Sequence, residues 1–297
     1  HLTTRRQRQM CIRDRPSIDV WAMDVARFGD YASPQYGTIK SSENYERRFI
    51  MTFPNETLPK GRKQKTTALY DRFVNQGAVM GDSFGLENVL WFANNKEDAH
   101  EEPTIKRSRS HDYVSKEVIN VRENVGLIEV ANFSKHEFKG TGARKFLDHV
   151  MAGKLPNPGR ISLSPMLSYR GKLCGDLTVA CLDENEFMVF GSGAAQEMHR
   201  RWFESHLDKF DVNYKNRSDE FHGISIAGPN SRKVLEKIVR DDVTNEKFKF
   251  RDSRRMFVGG VPAIINRISF TGELGYEIYV APHYQLKLYE ELMEAGK

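Results

Sequence analysis

Two carboxylates fall where an acid could do chemistry. Glu277 lies in "RISFTGELGYEIYV" (267–280), where two runs of strand-forming residues flank Thr271-Gly272-Glu273-Leu274-Gly275. The pattern predicts a tight hairpin connection. Tyr276, Ile278 and Val280 then share one face of the second strand, and Glu277 and Tyr279 share the other. Asp176 lies in the alternating run "GKLCGDLTVACL", on the face opposite Leu173, Gly175, Leu177 and Val179, beside Cys174 and Thr178. Acids fixed on rigid strands can grip paired N–H donors, steady a cation or carry a proton. Taken segment by segment, the blander reading of each is a solvent-facing acid on an edge strand.

Other groupings are weaker. Gly81-Asp82-Ser83-Phe84-Gly85 fits G-x-S-x-G, but a nucleophile elbow needs a strand entering the serine and a helix leaving it. Val79-Met80 is a meagre strand and no other part of a hydrolase signature is present, so a glycine-rich turn is the better reading. Gly191-Ser192-Gly193 follows a strand and opens a helix, yet Gln196 takes the place of the third glycine and no parallel βαβ repeat follows. It remains a helix N-terminus suited to lie near a polar ligand. The nine histidines lack metal-ligand spacing, and Cys11, Cys174 and Cys181 form no CxxC pair, so neither a metal site nor a disulfide framework is predicted.

The elements that must carry the two acids follow from periodicity and punctuation. Residues 1–15, "HLTTRRQRQMCIRDR", have no amphipathic period. Gln9–Arg15 matches one reading frame of a library adapter, so the segment is expected to be a sequencing artefact or else a basic disordered tail. Residues 16–62 carry aromatics without a helical period and are broken by Pro54, Pro59 and Gly61, which predicts a connector. Residues 63–297 form the main unit, with a solvated loop expected over 94–116.

Beyond that loop, strands and helices alternate. "GARKFLDHVM" places Phe146, Leu147, Val150 and Met151 on one helical face, and "NSRKVLEKIV" does the same with Val234, Leu235, Ile238 and Val239. Gly140, Arg144, Lys145, Leu147 and Val150 recur as Gly228, Arg232, Lys233, Leu235 and Ile238, an offset of 88 residues. Each copy reads strand, glycine turn, helix, hairpin. The prediction is an α+β domain of pseudo-repeated strand–helix–hairpin units with pseudo-twofold organisation. The hairpins bearing Asp176 and Glu277 are then counterparts facing one shared pocket.

Charge and composition narrow the function classes. A balance of 45 Lys+Arg against 40 Asp+Glu, net +5, suits an anionic small molecule, and no basic stripe interleaved with aromatics points to nucleic acid. No apolar run approaches the ~20 residues of a membrane span, and no signal peptide is visible. A cytoplasmic location is expected, or the mitochondrial matrix in a eukaryote.

Four stretches, "PNPGRISLSPMLSYRGKLCGDLTV", "GSGAAQEMHRRWFESHL", "GISIAGPNSRKVL" and "ISFTGELGYEIYV", together resemble the folate-binding domain of the glycine-cleavage T-protein (aminomethyltransferase) superfamily. They look most like the C-terminal half of sarcosine and dimethylglycine dehydrogenases. "KTTALYDRF" through "LWFA" resembles the start of that domain, and "DVARFGDYAS" through "NETLPKG" resembles the connector to a flavin-binding half. The resemblance runs in order from Pro16 to Lys297.

This resemblance implies a T-protein-like fold, tetrahydrofolate as cofactor, and transfer of an iminium- or formaldehyde-level unit from a methylated glycine to give 5,10-methylenetetrahydrofolate. It places the catalytic carboxylate on Asp176 and the pterin clamp on Glu277, with Leu177, Thr178, Ser192, Phe270, Ile278 and Tyr279 also at the folate. A pterin offers adjacent ring N–H and amino donors, which one carboxylate accepts as a bidentate pair. The family usually has tyrosine at Phe270, so only stacking is expected there. Glu129-Val130-Ala131-Asn132-Phe133 stands where the T-protein has D-V-S-H-M, which favours the dehydrogenase branch.

FAD is implied only in an N-terminal half missing here and normally in the same chain. Further folate contacts would follow Lys297, so the chain reads as an internal fragment. The expected partners are small molecules, folate and the one-carbon unit, with no nucleic acid, membrane or metal. A stand-alone aminomethyltransferase, a folate-dependent demethylase and a non-catalytic folate-binding module are the alternatives.

Overall fold

The structure, a computed structural model, describes residues 21–54 and 56–297. The expectations for residues 1–15, Cys11 included, lie outside the described residues. From Trp21 the chain makes two short 3-10 turns and then α1 (Pro34–Glu46). Ser33 caps that helix by accepting the Tyr36 N–H at 3.1 Å, and Pro34 opens it, a placement that sacrifices no helical hydrogen bond. Of α1 only Tyr36 and Glu43 are buried.

After α2 (Tyr70–Asn75), β1 (Ala78–Ser83) and β2 (Leu86–Phe92) form a hairpin. Its two-residue turn is Phe84-Gly85, both at positive φ (51° and 82°), the conformation that favours glycine and matches strand twist. Ser83 therefore enters a turn and a second strand rather than a helix, which excludes the nucleophile elbow. The loop expected over 94–116 ends early, because α3 spans Ser110–Glu123. No residue of α3 is buried, so its charges hide it.

The main unit contains two antiparallel five-stranded sheets. Its elements are β3 (Gly126–Glu129), β4 (Ser134–Lys139), α4 (Ala143–Val150), β5 (Arg160–Leu167), β6 (Leu173–Asp183), β7 (Glu186–Gly191) and α5 (Gln196–Glu204). They continue with β8 (Asn213–Asn216), β9 (His222–Ala227), α6 (Ser231–Glu236), β10 (Ser253–Val258), β11 (Val261–Asn266), β12 (Gly275–Val280) and α7 (Pro282–Ala295). Strand order is β5-β6-β7-β4-β8 in one sheet and β10-β11-β12-β9-β3 in the other.

Three cores define the layering. Phe146, Leu147 and Val150 of α4 and Phe203 of α5 pack on Leu177, Val179, Phe187 and Val189 of the first sheet. Leu235 of α6 and Leu288 and Leu292 of α7 pack on Ile226, Ile265, Tyr276, Ile278 and Val280 of the second. Between the sheets lie Ile161, Ala180, Met188, Phe190, Ile264 and Tyr279. The order is helices, sheet, sheet, helices.

The two sheets repeat one plan. β4 and β9 each end in a glycine at nearly the same left-handed φ, 123° at Gly140 and 126° at Gly228, before the helix begins. A Cβ would meet a backbone oxygen at either place, Asp211 O at 2.8 Å or Asn124 O at 2.4 Å. The plan includes an exchange: β3 pairs with β9, and β8 pairs with β4. "GLIEVANFSKHEFKG" is thus two strands in two sheets, and Val130 at the crossing is buried between them.

Hairpins β6–β7 and β11–β12 occupy equivalent places, as the repeat predicts. Asp176, however, is on the first arm of its hairpin and Glu277 on the second arm of its own. Neither β6 nor β12 is an edge strand, which corrects the segment-by-segment reading of both acids. The β6–β7 turn is two residues, Glu184-Asn185. The connection before β12 is longer than a tight turn: β11 stops at Asn266, and the Arg267 side chain donates to Phe248 O and Asn245 Oδ1.

Candidate functional site

Strand parity brings the two acids to one layer. On β6, Leu177, Val179 and Cys181 enter the helix-side core while Ala180 lies between the sheets, so Asp176 and Thr178 face the inter-sheet layer. On β12, Tyr276, Ile278 and Val280 enter the other helix-side core while Tyr279 lies between the sheets, so Glu277 faces that layer from the opposite side. Tyr279 stacks on Phe190 of β7 with ring centroids 4.5 Å apart and planes 28° apart. Phe190 is in turn the cross-strand partner of Thr178. Continuing that register by two residues sets Asp176 opposite Ser192.

Glu277 is half committed. Its Oε2 accepts the Tyr279 hydroxyl at 2.8 Å, while no described residue engages its other oxygen. Burial pushes its carboxyl up, and the Tyr279 hydrogen bond and the Lys135 charge work against that. Asn266, paired with Glu277 across β11–β12, is fully buried. Its Oδ1 accepts from Ser253 Oγ at 2.7 Å, and its Nδ2 has no partner. Asp176 differs: it is exposed, and its carboxylate has no hydrogen bond or ion pair among the described residues.

The other expected site residues divide. Thr178 and Tyr279 share the layer with the acids. Leu177 and Ile278 are fully buried in the two helix-side cores, so their side chains point away from it. Ile278 is also paired on both sides, with Ile265 and Ile224, which leaves its backbone no open edge. Ser192 is exposed at the start of the 3-10 turn Gly193–Ala195, where its carbonyl accepts from Ala195 N at 3.1 Å. Phe270, in the 267–274 loop, is 94% exposed.

Sequence reasoning missed the buried ionic groups beside this layer. Lys135 of β4 flanks Phe190 on the side opposite Thr178 and is fully buried. Its Nζ donates to Ala131 O at 2.6 Å and lies 6.0 Å from the Tyr279 ring centroid. Burial lowers its amine to about 7, against the pull of Asp219, Glu129 and Glu277. Glu129 of β3 accepts from Gln285 Nε2 at 2.6 Å, and burial raises its carboxyl. In sequence, Lys135, Glu137 and Lys139 alternate as an ordinary solvated face; only the second sheet makes that face interior. Among the described residues no group of His, Cys, Asp or Glu is arranged to hold a metal, and no helix is long and apolar enough to cross a membrane.

The arrangement therefore offers an open carboxylate oxygen, an unused amide donor beside it, aromatic walls, and a second carboxylate free at the rim. That set suits a flat ligand with a donor edge.

Residues 69–297 match the GCVT N-terminal domain family, and residues 13–67 match the FAD dependent oxidoreductase central domain. The chain is 32% identical over 290 residues to mitochondrial dimethylglycine dehydrogenase of Homo sapiens, covering 96% of this chain and 33% of that protein. Mitochondrial sarcosine dehydrogenase of Homo sapiens is 25% identical over 332 residues, covering 96% of this chain and 36% of that protein. An aminomethyltransferase of Thermotoga petrophila is 28% identical over 232 residues, covering 77% and 58% respectively. The chain spans about a third of the length of the first of these relatives. Glycine cleavage system aminomethyltransferase T from Bartonella henselae has the same fold, with TM-score 0.64 at 21% identity over 77% of this chain and 57% of that one.

Proposed function

This chain belongs to the glycine-cleavage T-protein family through its GCVT N-terminal domain, and from that premise we propose that it is the folate-dependent one-carbon-transfer part of a dimethylglycine- or sarcosine-dehydrogenase-like enzyme. Residues 63–297 are the folate domain, and residues 16–62 are the connector to a flavin-bearing half of a longer protein. That half oxidises an N-methylated glycine with FAD, and this part passes the resulting iminium- or formaldehyde-level carbon to tetrahydrofolate, giving 5,10-methylenetetrahydrofolate. A cytosolic or mitochondrial-matrix setting follows by analogy with the mitochondrial relatives.

The observation that carries the reading is that strands from opposite sheets turn Asp176 and Glu277 into one layer, bridged by the Tyr279–Phe190 stack. A pterin edge fits the residues present. Glu277 would accept the ring N–H and amino protons, the orphan Asn266 Nδ2 supplies a donor, and the stacked rings and Leu163, opposite Thr178, supply apolar walls. Asp176, unpaired at the rim, would orient the nucleophilic nitrogen, steady cationic character on the incoming carbon and take or return a proton. The test is anaerobic calorimetric titration of the protein with tetrahydrofolate. One-site binding that weakens in Glu277→Gln is expected. Failure of both this chain and the longer protein to bind would overturn the proposal.

A further inference from the structure

Lys135 is the lysine that the fold buries completely among the described residues, yet its amine contacts no carboxylate. Nζ donates to Ala131 O at 2.6 Å and Ser218 O at 3.4 Å, with the Tyr279 ring 6.0 Å away. An ammonium held this way is satisfied by dipoles but not neutralised, so its charge acts on the acids around it. From β12 it faces Glu277, which is joined to the same Tyr279 through the hydroxyl at 2.8 Å. From β3 it faces Glu129, and from the β8–β9 connection Asp219, itself paired with Lys65 at 3.0 Å. The neighbouring bases are His136 on its own strand and His222 on β9, each kept neutral by burial first and by Lys135 in part.

We propose that Lys135 is a positioning residue of the folate site: its ammonium, sealed behind Tyr279, is the counter-charge that holds Glu277 in the carboxylate form a pterin edge requires. The inference rests on the reading of Glu277 as the pterin clamp. Burial favours the protonated acid, which offers an O–H donor to a ligand edge that is itself all donors. The Tyr279 hydrogen bond opposes this first, and the Lys135 charge adds to it. An amine near 7 carries its charge on the acid side of neutrality, the side toward which a carboxylate raised by burial takes up its proton, and loses that charge at higher pH. The effect of Lys135 on binding is therefore confined to the acid limb of the pH profile.

Tetrahydrofolate affinity is measured across pH 5.5–8.5 for the wild-type protein, Lys135→Met and Glu277→Gln. Lys135→Met should bind progressively more weakly than wild type as pH falls toward 5.5 and within about threefold of it at pH 8.5, the signature of a shifted titration. Glu277→Gln should be weak and nearly flat. A Lys135→Met loss uniform in pH overturns the proposal alone, because packing produces that. No binding by wild type at any pH overturns the reading of Glu277 and this proposal with it. A second measurement needs neither folate nor a Lys135 variant: 13Cε-lysine NMR follows the Lys135 amine in wild type and in Glu277→Gln. Its midpoint should fall when the Glu277 charge is removed, and an unchanged midpoint overturns the coupling.

Discussion

The hydroxyl of Tyr279 donates to Oε2 of Glu277 at 2.8 Å, two positions back along the same strand. Spacing by two puts both side chains in the inter-sheet layer, and the stack on Phe190 fixes the ring that carries the hydroxyl. Burial and the adjacent carboxylate push the phenol well above its ordinary range, so it stays a donor throughout physiological pH. A carboxylate oxygen can accept twice, so Tyr279 takes one acceptor place on Oε2 and leaves the other, together with Oε1, for a ligand.

Tyr279→Phe keeps the stack and deletes the donor. Because the bond favours the ionised acid, its loss should destabilise the fold by about 1–2 kcal/mol and weaken folate binding more at acid than at alkaline pH. Urea denaturation and a pH series of titrations check this. Unchanged stability and affinity would mean that the hydroxyl does not position Glu277.

Glu277→Gln tests the clamp directly. A glutamine offers one acceptor and presents an amide donor to the donor edge of a pterin, so affinity should drop by about 1.5–3 kcal/mol, the range for hydrogen bonds to a charged group. Calorimetry on both proteins settles it. Equal affinities would remove Glu277 from the site.

His136 should govern part of the acid sensitivity. Burial, with the charges of His199, Lys135 and Arg200, pushes its imidazole down to about 3 from 6.5. Nδ1 meets the Tyr214 hydroxyl at 2.9 Å, while Nε2 is buried without a partner. The unfolded chain takes up this proton as pH drops through 6.5 and the fold does not, so stability is lost progressively between about 6.5 and 3. His136→Phe, packed against Phe203 and Tyr214, should flatten the slope of stability between pH 6.5 and 4 by about 1.4 kcal/mol per pH unit. Parallel slopes would show that the fold already protonates His136.

Much of the fold and part of the site are legible in the sequence, for identifiable reasons. Alternation alone assigns the strand faces of Asp176 and Glu277, and the Gly140/Gly228 echo marks the repeat, because both need a left-handed turn beside a foreign backbone oxygen. Alternation cannot say which strands become neighbours. β6 is interior because β5 as well as its hairpin partner β7 pairs beside it; β12 is interior because the distant β9 pairs on its other side, and β3 and β8 change sheets, which are long-range facts. For the same reason "SKHEFK" reads as a solvated face although Lys135 is fully buried. The charged α3 and the loop after Asn266 escape notice because neither advertises its packing: α3 buries no residue, and the Arg267 side chain donates to Phe248 O.

Asp176→Asn separates chemistry from binding. The acid is exposed and unpaired, so the change should leave thermal stability within about 0.5 kcal/mol of wild type. The proposed assignment gives the pterin to Glu277 and not to Asp176, so folate affinity should stay within a few fold. In the longer flavin-bearing protein proposed above, amine oxidation should persist, because that chemistry is assigned to another half. What should fall, by about 10²-fold or more, is formation of methylenetetrahydrofolate, with free formaldehyde released in its place, as expected when one preorganised charge is lost from a transfer step. A paired single-turnover assay of formaldehyde and methylenetetrahydrofolate reads both fates of the carbon at once. Transfer at the wild-type rate would make Asp176 a surface acid with no part in the reaction, and the one-carbon step would then have to be assigned to groups other than the strand that carries it.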